Sequence, residues 1–309
     1  MSSNVQSIVC CLGDPVAGNP TQFLMQRAAA AQSLDWMFVT AEVPGEKIVE
    51  AFQGIRALRF SGVAFLPPHR LAGCNLVDSM TESAHRSGHV RVARRDGDVW
   101  LGDDTLGAAI VELLNTHFKH SGKFATSHLD SKAMTADSDA ILVSGRRWLA
   151  HLIRLAMPSS WNGRIRELVE QPNSDDTNPP IQSDTILGDS VLIDTQLSLG
   201  KCASIPELTF ESALELETPI ETLIVDSTAV CPPQKLLSKL RWSQNPTIIF
   251  VESNTRWESS FEALNIPDAR LLRSIDVSAA KALVNFNFWT GHQTDIAVIR
   301  ESLDEYCQW

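Results

Sequence analysis

Long hydrophobic runs are missing from the sequence. Its apolar runs, such as TIIFV at 247–251, fall far below the roughly 20 residues that a membrane-spanning helix needs. The opening residues, MSSNVQSIVCCLGD, lack a basic start, and the apolar run from Ile8 to Leu12 is too short for a signal peptide. We therefore expect a soluble cytoplasmic protein with no membrane partner.

Positive charge is also in short supply. Lysine and arginine together number 26 against 37 acidic residues, which gives a formal net charge of −11. An averaged surface of that sign repels phosphate backbones, so nucleic acid is not expected as a partner.

Metal-binding patterns are absent from the sequence. The six cysteines show no C-x-x-C spacing. Cys10 and Cys11 are neighbours in a predicted strand, where they point to opposite faces and act as small buried hydrophobes. We expect no metal site.

The sequence contains enough hydrophobic residues to form the cores of two domains. The chain has 309 residues, of which 44% are hydrophobic. In the first part, short β-rich runs alternate with amphipathic stretches of helix length, and a hairpin, HVRVARR and DVWLGD joined at Asp96-Gly97, follows them. This pattern predicts an α/β domain with a mixed sheet, closed by the helix TLGAAIVELLNTHFKH.

A second alternation begins at residue 140. Its five apolar runs, AILVS, IRELVEQ, SVLIDTQ, TLIVDST and TIIFVES, indicate a Rossmann-like, doubly wound parallel sheet. A polar stretch at 121–138 is expected to connect the two domains, and the acidic, proline-bearing stretch at 172–184 is predicted to be a solvated loop. We divide the chain into a substrate-binding domain (1–122), a Rossmann-like domain (123–276) and C-terminal helices (277–309) that pack back toward the first domain.

The order of the motifs resembles the shikimate dehydrogenase family, as a divergent member. That family opens with a G-x-P-[VI] turn, matched by GDPV, and has G-x-N-T-D-G where this chain has WLGDDTLGAA. LIVDSTAVCPPQKLL resembles its D-x-x-Y-x-P-x-x-T-x-L-L segment, and FNFWTGHQTDIAVIRESL resembles its closing F-x-x-W-T-G helix pair. The resemblance implies reduction of 3-dehydroshikimate to shikimate with NADPH.

The catalytic positions of the family are altered. By the resemblance, its proton-handling lysine corresponds to Arg70 in GVAFLPPHR, and its aspartate to Leu106. Guanidinium stays protonated to about pH 12 and leucine carries no proton, so neither suits general acid–base work near neutral pH. Asp104, two residues from the lost carboxylate, is the candidate replacement.

The substrate-binding positions implied by the resemblance carry more positive charge than in the family. The family holds the shikimate carboxylate with the two serines of an S-x-S motif, and Asn19 and Thr21 occupy those positions here. Both residues can still form hydrogen bonds. Arg91 stands at an asparagine and Lys281 at a glutamine. This balance favours a small, shikimate-like ligand that is more anionic than shikimate.

A second interpretation of Arg70, Arg91 and Lys281 involves no ligand. They would then reach solvent or pair with acids such as Asp103 and Asp104, with no ligand involved.

The glycine-rich cofactor loop is the clearest departure from the family. In place of G-A-G-G-A the sequence reads SGRRW, which keeps Gly145 and adds Arg146, Arg147 and Trp148 in the volume that a dinucleotide needs. The N-R-T turn that grips the 2′-phosphate is also missing, since Pro172 follows the second strand. NADP is the expected cofactor if the family activity persists, and otherwise none. The two arginines either bind a lone anion at the helix start or are exposed charges beside the acidic residues at 174–176.

Three hypotheses follow. The first is a shikimate dehydrogenase-like protein with a degraded catalytic pair and cofactor loop, which binds a small anionic metabolite. The second is an active NADP-dependent oxidoreductase with a displaced site, in which Asp104 accepts the proton and Arg70 stabilises the alkoxide. The third is an interaction module that uses the aromatics Trp161, Tyr306 and Trp309. The sequence leaves open whether the chain forms a homodimer.

Overall fold

The computed structural model describes most of the chain in seven segments. These are residues 6–119, 141–157, 164–169, 207–216, 219–226, 237–252 and 255–308. The predicted connection at 121–138, the loop at 172–184, the run SVLIDTQ, and Trp161 and Trp309 all lie outside the described residues.

A six-stranded mixed sheet forms the first part of the chain. Its strands are β1 (Ser7–Gly13), β2 (Trp36–Glu42), β3 (Gly62–Phe65), β4 (Ser79–Met80), β5 (Val92–Asp96) and β6 (Val99–Asp103). They lie in the order β2-β1-β3-β5-β6-β4, with β5 antiparallel to both β3 and β6 and the other pairs parallel. The sheet confirms the mixed-sheet prediction.

Five helices accompany this sheet. They are α1 (Thr21–Ala31), α2 (Ile48–Ala57), α3 (Arg70–Leu76), α4 (Glu82–Ser87) and α5 (Leu106–Lys119), with one 3₁₀ turn at Gly45–Lys47. The hairpin between β5 and β6 turns at Gly97 and Asp98, one residue later than predicted. Gly97 has φ +63°, which a glycine adopts without steric cost.

A second six-stranded sheet is parallel throughout. Its strands are β7 (Ile141–Ser144), β8 (Ile165–Val169), β9 (Glu207–Thr209), β10 (Ile220–Val225), β11 (Trp242–Phe250) and β12 (Arg270–Leu272). The order β12-β11-β10-β7-β8-β9 is that of a Rossmann fold, with its switch point between β7 and β10. The doubly wound prediction is therefore confirmed.

The remaining helices among the described residues are α6 (Arg147–Ala156), α7 (Phe210–Ala213), α8 (Thr255–Leu264), α9 (Ser274–Thr290) and α10 (Ile296–Tyr306). None of the helices in the described ranges is long and apolar enough to cross a membrane.

Helix α9 contributes to the cores on both sides of the molecule. In one core, Leu106 and Ile110 of α5 pack with Leu149 of α6 and Val277 of α9. In another, Phe286 and Trp289 at the far end of α9 pack under the first sheet with Phe38 and Met25. The indole nitrogen of Trp289 also donates to the carbonyl of Ala93 in β5 at 3.0 Å. Helix α9 thus packs into the cores of both sheets, and α5 packs with it in the first of these cores.

Candidate functional site

The first half of the site lies where several strands of the mixed sheet end. Strands β1 and β3 run parallel, and the loops after them are joined by a hydrogen bond from Asp14 N to the carbonyl of Pro67 at 3.2 Å. Arg91, just before β5, bonds through its backbone to Phe65 at the end of β3 and to Asp103 at the end of β6. The loops that carry the candidate residues therefore share one edge of the sheet.

Arg70 is the first residue of α3 and lies at this edge. Its side chain is partly buried, and its Nε is enclosed with no hydrogen-bond partner among the described residues. Burial, with Arg91 as the next cause, lowers its pKa to about 10, while Asp104 opposes the shift. Arg70 is thus a partly buried cation that lies near a second cation, Arg91.

Arg91 and Asp104 form a buried ion pair. Arg91 Nε donates to Asp104 Oδ1 at 2.8 Å, and the two side chains are only 9% and 0% exposed. The same carboxylate oxygen accepts from the backbone N–H of Leu106 at 3.1 Å, next to the start of α5. Arg91 therefore pairs with an acid, as the interpretation without a ligand predicted, and Asp104 is a buried partner of that cation.

Asp103 and Leu106, which flank Asp104 in the turn before α5, are both held by contacts within the protein. Asp103 accepts a short hydrogen bond from the hydroxyl of Thr81, the residue that caps α4, and burial raises the pKa of its carboxyl. Leu106 is 2% exposed and belongs to the core shared by α5, α6 and α9.

Asn19 and Thr21 stand at the start of α1. The side-chain oxygen of Asn19 accepts from the backbone N–H of Thr21 at 2.9 Å, which satisfies a free donor at the helix start. Both residues are partly buried and follow β1 at the edge described above. Within the described ranges, no hydrogen bond or ion pair joins them to Arg70 or Arg91.

Lys281 reaches the same region from α9. One turn further along this helix, Asn285 accepts a hydrogen bond from Thr105 at 2.6 Å, so this face of α9 meets the turn that carries Asp104. Burial, followed by the charges of Arg91 and Arg70, lowers the pKa of Lys281 to about 8. We call Arg70, Arg91, Lys281 and the Arg146 described below the cationic cluster.

The second half of the site lies at the switch point of the parallel sheet. Gly145 follows β7 with φ +128°, and a Cβ added there would lie 2.4 Å from the Cβ of Asp226. Asp226 follows β10 and is fully buried. Glycine is required here because the backbone has a positive φ and the Asp226 side chain leaves no room for a Cβ.

Arg146 turns into the same space. Its guanidinium lies 3.4 Å from Asp226 Oδ1 and 3.4 Å from Glu252 Oε2, and 5.6 Å from the ring centroid of Trp148. It is thus not simply an exposed charge. The side chain of Arg147 lies outside the described residues.

Trp148 connects the two halves of the site. Its ring centroid lies 5.8 Å from that of His89, which precedes β5 on the other sheet. Burial, and then Arg91, lowers the pKa of His89, which favours the neutral imidazole. Charged residues of the second half also act on Arg70 in the first: Glu252 raises the pKa of Arg70, and Arg146 lowers it.

Sequence reasoning singled out Trp148 only as a large side chain of the cofactor loop, and it did not single out Asp226, Glu252 or His89. A signal existed for the two acids, because each follows a predicted strand of the doubly wound sheet, where ligands of such folds bind. No group of acidic, histidine and cysteine residues in the described ranges has the arrangement of a metal site.

Comparison with known proteins begins with sequence. No protein-family model matches the chain. It is 33% identical over 103 residues to the NADP(+) shikimate dehydrogenase of Geobacter metallireducens, which is 33% of this chain and 36% of that protein. It is 34% identical over 98 residues to the enzyme of the same name from Salinibacter ruber, again about a third of each. The matches thus span about a third of the length of these relatives.

The fold comparison covers nearly the whole chain. Shikimate 5-dehydrogenase of Thermus thermophilus, solved with NADP(H) and shikimate, superposes over 97% of this chain and 100% of its own, with a TM-score of 0.64 and 16% identity. The enzyme from Listeria monocytogenes, solved with shikimate and NAD, gives a TM-score of 0.65 over 98% and 99% at 14% identity. The chain is thus similar to shikimate dehydrogenases in sequence over about a third of its length, and it shares their fold over nearly all of it.

The shikimate dehydrogenase fold also accommodates other reactions among its structural relatives. 5-Ketofructose reductase of a Gluconobacter strain superposes over 98% of this chain and 99% of its own with a TM-score of 0.65 and 17% identity. In this chain, the fold brings the strand ends of both sheets near α5 and α9, and the cationic cluster lies there.

Proposed function

We propose that the chain binds a small, hydroxylated anion at the cationic cluster and does not act as an ordinary dinucleotide-dependent dehydrogenase. The observation that carries the proposal is the placement of Arg146, which is paired with Asp226 and Glu252 across the switch point of the Rossmann fold. Its family context is that of oxidoreductases, so the proposal concerns loss of a cofactor within a dehydrogenase scaffold.

The residues at the switch point do not fit a dinucleotide. A pyrophosphate in this fold needs bare backbone at the first loop and a helix N-terminus free to receive negative charge. Here the Asp226 side chain lies against Gly145, and the Arg146 side chain pairs with its carboxylate in the same space. We therefore derive no chemistry through NADP(H).

The catalytic positions support the same reading. The family lysine and aspartate correspond to Arg70 and Leu106, of which one stays protonated and the other is a core side chain. A site without a group that exchanges protons at these positions is suited to binding rather than to hydride transfer coupled to proton transfer.

The charge balance of the cluster supports an anionic ligand. Arg91 and Arg146 form ion pairs with acids, and Arg70 and Lys281 add positive charge beside them in a partly buried space. Arg70 has an enclosed Nε with no partner among the described residues, which a carboxylate or phosphate oxygen would satisfy. The solved relatives bind shikimate, a small anion.

Calorimetric titration with three probes tests this proposal. Shikimate, citrate and inorganic phosphate cover an increasing ratio of charge to size. We expect at least one to saturate, with affinity that falls by more than roughly tenfold in Arg70→Met, since a charge-assisted hydrogen bond contributes about 1.5–3 kcal/mol. Arg27→Met is the matched control, because Arg27 is an exposed arginine paired with Glu305. Absence of saturable binding for all three probes would refute the proposal.

A second candidate function is an active oxidoreductase with a displaced site, with Asp104 as proton acceptor and Arg70 stabilising the alkoxide. The names of the sequence relatives, NADP(+) shikimate dehydrogenases, favour it. The pairing of Asp104 with Arg91 weighs against it. Oxidation of shikimate with NADP(+) at an ordinary enzymatic rate, on the order of 10 per second, would establish this function in place of the first. Asp104→Asn should then abolish the turnover.

A further inference from the structure

A pocket lies at the opposite end of the parallel sheet from the switch point. The switch-point residues follow the carboxyl ends of β7, β10 and β11, whereas this pocket includes Trp242, the first residue of β11, and the loop that precedes β12. Its volume is about 660 Å³, within the roughly 300–1,000 Å³ typical of small-molecule sites. It shares no residue with the cationic cluster.

An irregular stretch of β11 forms one part of the pocket lining. Ile220 of β10 pairs with Trp242, and the next aligned pair is Thr222 with Thr247, so two steps along β10 match five along β11. The sequence favours this irregularity, because Pro246 has no N–H to donate to a ladder. Such bulges re-aim side chains and are common next to active sites. Three residues of this stretch line the pocket: Ser243, Gln244 and Asn245.

A short loop between α8 and β12 forms another part of the lining. Two backbone hydrogen bonds hold it, from Asn265 N to the carbonyl of Glu262 at 3.3 Å and from Ala269 N to the carbonyl of Ile266 at 3.2 Å. The loop thus presents three apolar side chains and one carboxylate on a backbone that is fixed at both ends. These residues are Leu264, Ile266, Pro267 and Asp268.

Two residues of the lining carry polar atoms that lack hydrogen-bond partners among the described residues. They are the indole nitrogen of Trp242 and the hydroxyl of Ser243, both covered by protein atoms. Buried polar groups without partners are uncommon, because leaving them unpaired costs free energy. Oxygen atoms of a ligand would accept hydrogen bonds from both groups. Because the two atoms are covered, a ligand reaches them only if these side chains rotate on binding.

The chemistry of the lining favours a neutral ligand with many hydroxyl groups. No lysine, arginine or histidine is among the described residues that line the pocket, and Asp268 adds a negative charge, so an anion is disfavoured. The amides of Gln244 and Asn245 both donate and accept hydrogen bonds, as the hydroxyl groups of a sugar do. The apolar side chains of the loop suit the C–H face of a sugar ring.

We propose that this pocket binds a neutral hexose sugar. The indole nitrogen of Trp242 and the hydroxyl of Ser243 donate to oxygen atoms of the sugar, and the carboxylate of Asp268 accepts from one of its hydroxyl groups. The site goes beyond the proposed anion binding and does not depend on it, because the two sites have no residue in common.

Nuclear magnetic resonance of the tryptophan indole N–H groups tests the inference. The chain has eight tryptophans, and Trp242→Phe identifies the Trp242 resonance by removing it. The whole chain is titrated with glucose, galactose and mannose, and inorganic phosphate serves as the anionic comparison. We expect at least one sugar to shift the Trp242 resonance with saturation below about 10 mM.

Variants of the pocket separate a ligand contact from a structural role. Trp242→Phe keeps an aromatic ring but loses the donor, so it should weaken sugar binding at least roughly fivefold in saturation-transfer measurements. Its midpoint in urea should not fall, because the folded protein loses no hydrogen bond of this indole nitrogen. Ser243→Ala is a second variant with the same expected pattern. Trp36→Phe, at a tryptophan of β2 in the other sheet, is the matched control and should retain sugar binding.

Three outcomes would overturn the inference. The first is the absence of any shift of the Trp242 resonance with all three sugars up to about 50 mM. The second is a shift with phosphate and with no sugar, which would make the pocket an anion site. The third is sugar binding that Trp242→Phe and Ser243→Ala leave intact but Arg70→Met removes, which would place the sugar in the cationic cluster.

Discussion

The side chains of Arg91 and Asp104 are both buried, and each compensates the charge of the other. Removing one partner of a buried ion pair leaves an uncompensated charge, which costs about 3–5 kcal/mol. We predict that Asp104→Ala lowers the free energy of unfolding by that amount in urea denaturation. Asp98→Ala is the control, because Asp98 is an almost fully exposed carboxylate 3.9 Å from Arg59 and should change stability little. Equal small effects in both variants would show that the pair is not buried in solution.

Lys281 should give the stability of the protein a distinctive dependence on pH. Its pKa is lowered from 10.5 in the unfolded chain to about 8 in the folded protein, so between these values the unfolded state binds more protons. Stability therefore gains a contribution as pH rises through the window from about 8 to about 10.5, and the penalty is fully present below pH 8.

The matching measurement compares the wild-type protein with Lys281→Met. We expect the variant to be the more stable of the two at pH 7, and the difference between them to shrink as pH approaches 10.5. A difference that does not vary with pH would place Lys281 in ordinary solvent.

At the residue scale, sequence reasoning identified which positions had changed but not what they would contact. Arg70, Leu106 and Arg146 differ in type from the family pattern, and type can be read from sequence. The acids beside Arg146 come from the ends of β10 and β11, and only the folded sheet brings them together. The low pKa of Lys281 arises from burial and from two arginines distant in sequence, which no local pattern records.

At the scale of elements, the contact between α5 and α6 depends on Gly107. A Cβ added there would lie 2.3 Å from the carbonyl oxygen of Leu152, which is backbone and cannot move aside cheaply. We predict that Gly107→Ala costs about 1–3 kcal/mol of stability through overpacking. It should also weaken anion binding, because the turn carrying Asp104 leads directly into α5.

Gly54→Ala is the matched control for that change. Gly54 lies within α2, and a Cβ added there would meet no atom within 4 Å, so alanine should stabilise the helix by about 0.5–1 kcal/mol. Opposite signs for the two glycines in thermal or urea denaturation support the close contact of α5 and α6. Stabilisation by both would contradict it.

The longer elements were predictable and the shortest were not. Strands with buried apolar runs, such as β3, β7 and β10, follow from hydrophobic pattern alone. Strands β4 and β9 contain two and three residues, too few to show a periodicity, and they form because a neighbouring edge is available to pair with them. The position of the hairpin turn was missed by one residue, since it depends on the pairing of Asp96 with Val99.

At the scale of the molecule, the net charge of −11 conceals a local excess of positive charge where the two sheets meet. Local potential, rather than the average, decides which ligand enters a cleft. The division into 1–122, 123–276 and 277–309 stays a prediction. The structure adds that α5 and α9 share a core with α6, so the parts are bound through apolar packing as well as through the site.

The central claim is that the switch point of this Rossmann fold no longer accepts a dinucleotide. Calorimetric titration of the whole chain with NADPH, and then NADH, tests it most directly, with urea denaturation of the same sample to show that the protein is folded. We predict no saturable binding up to about 1 mM of either cofactor. Saturation of NADPH in the micromolar range would contradict the account and favour the oxidoreductase with a displaced site.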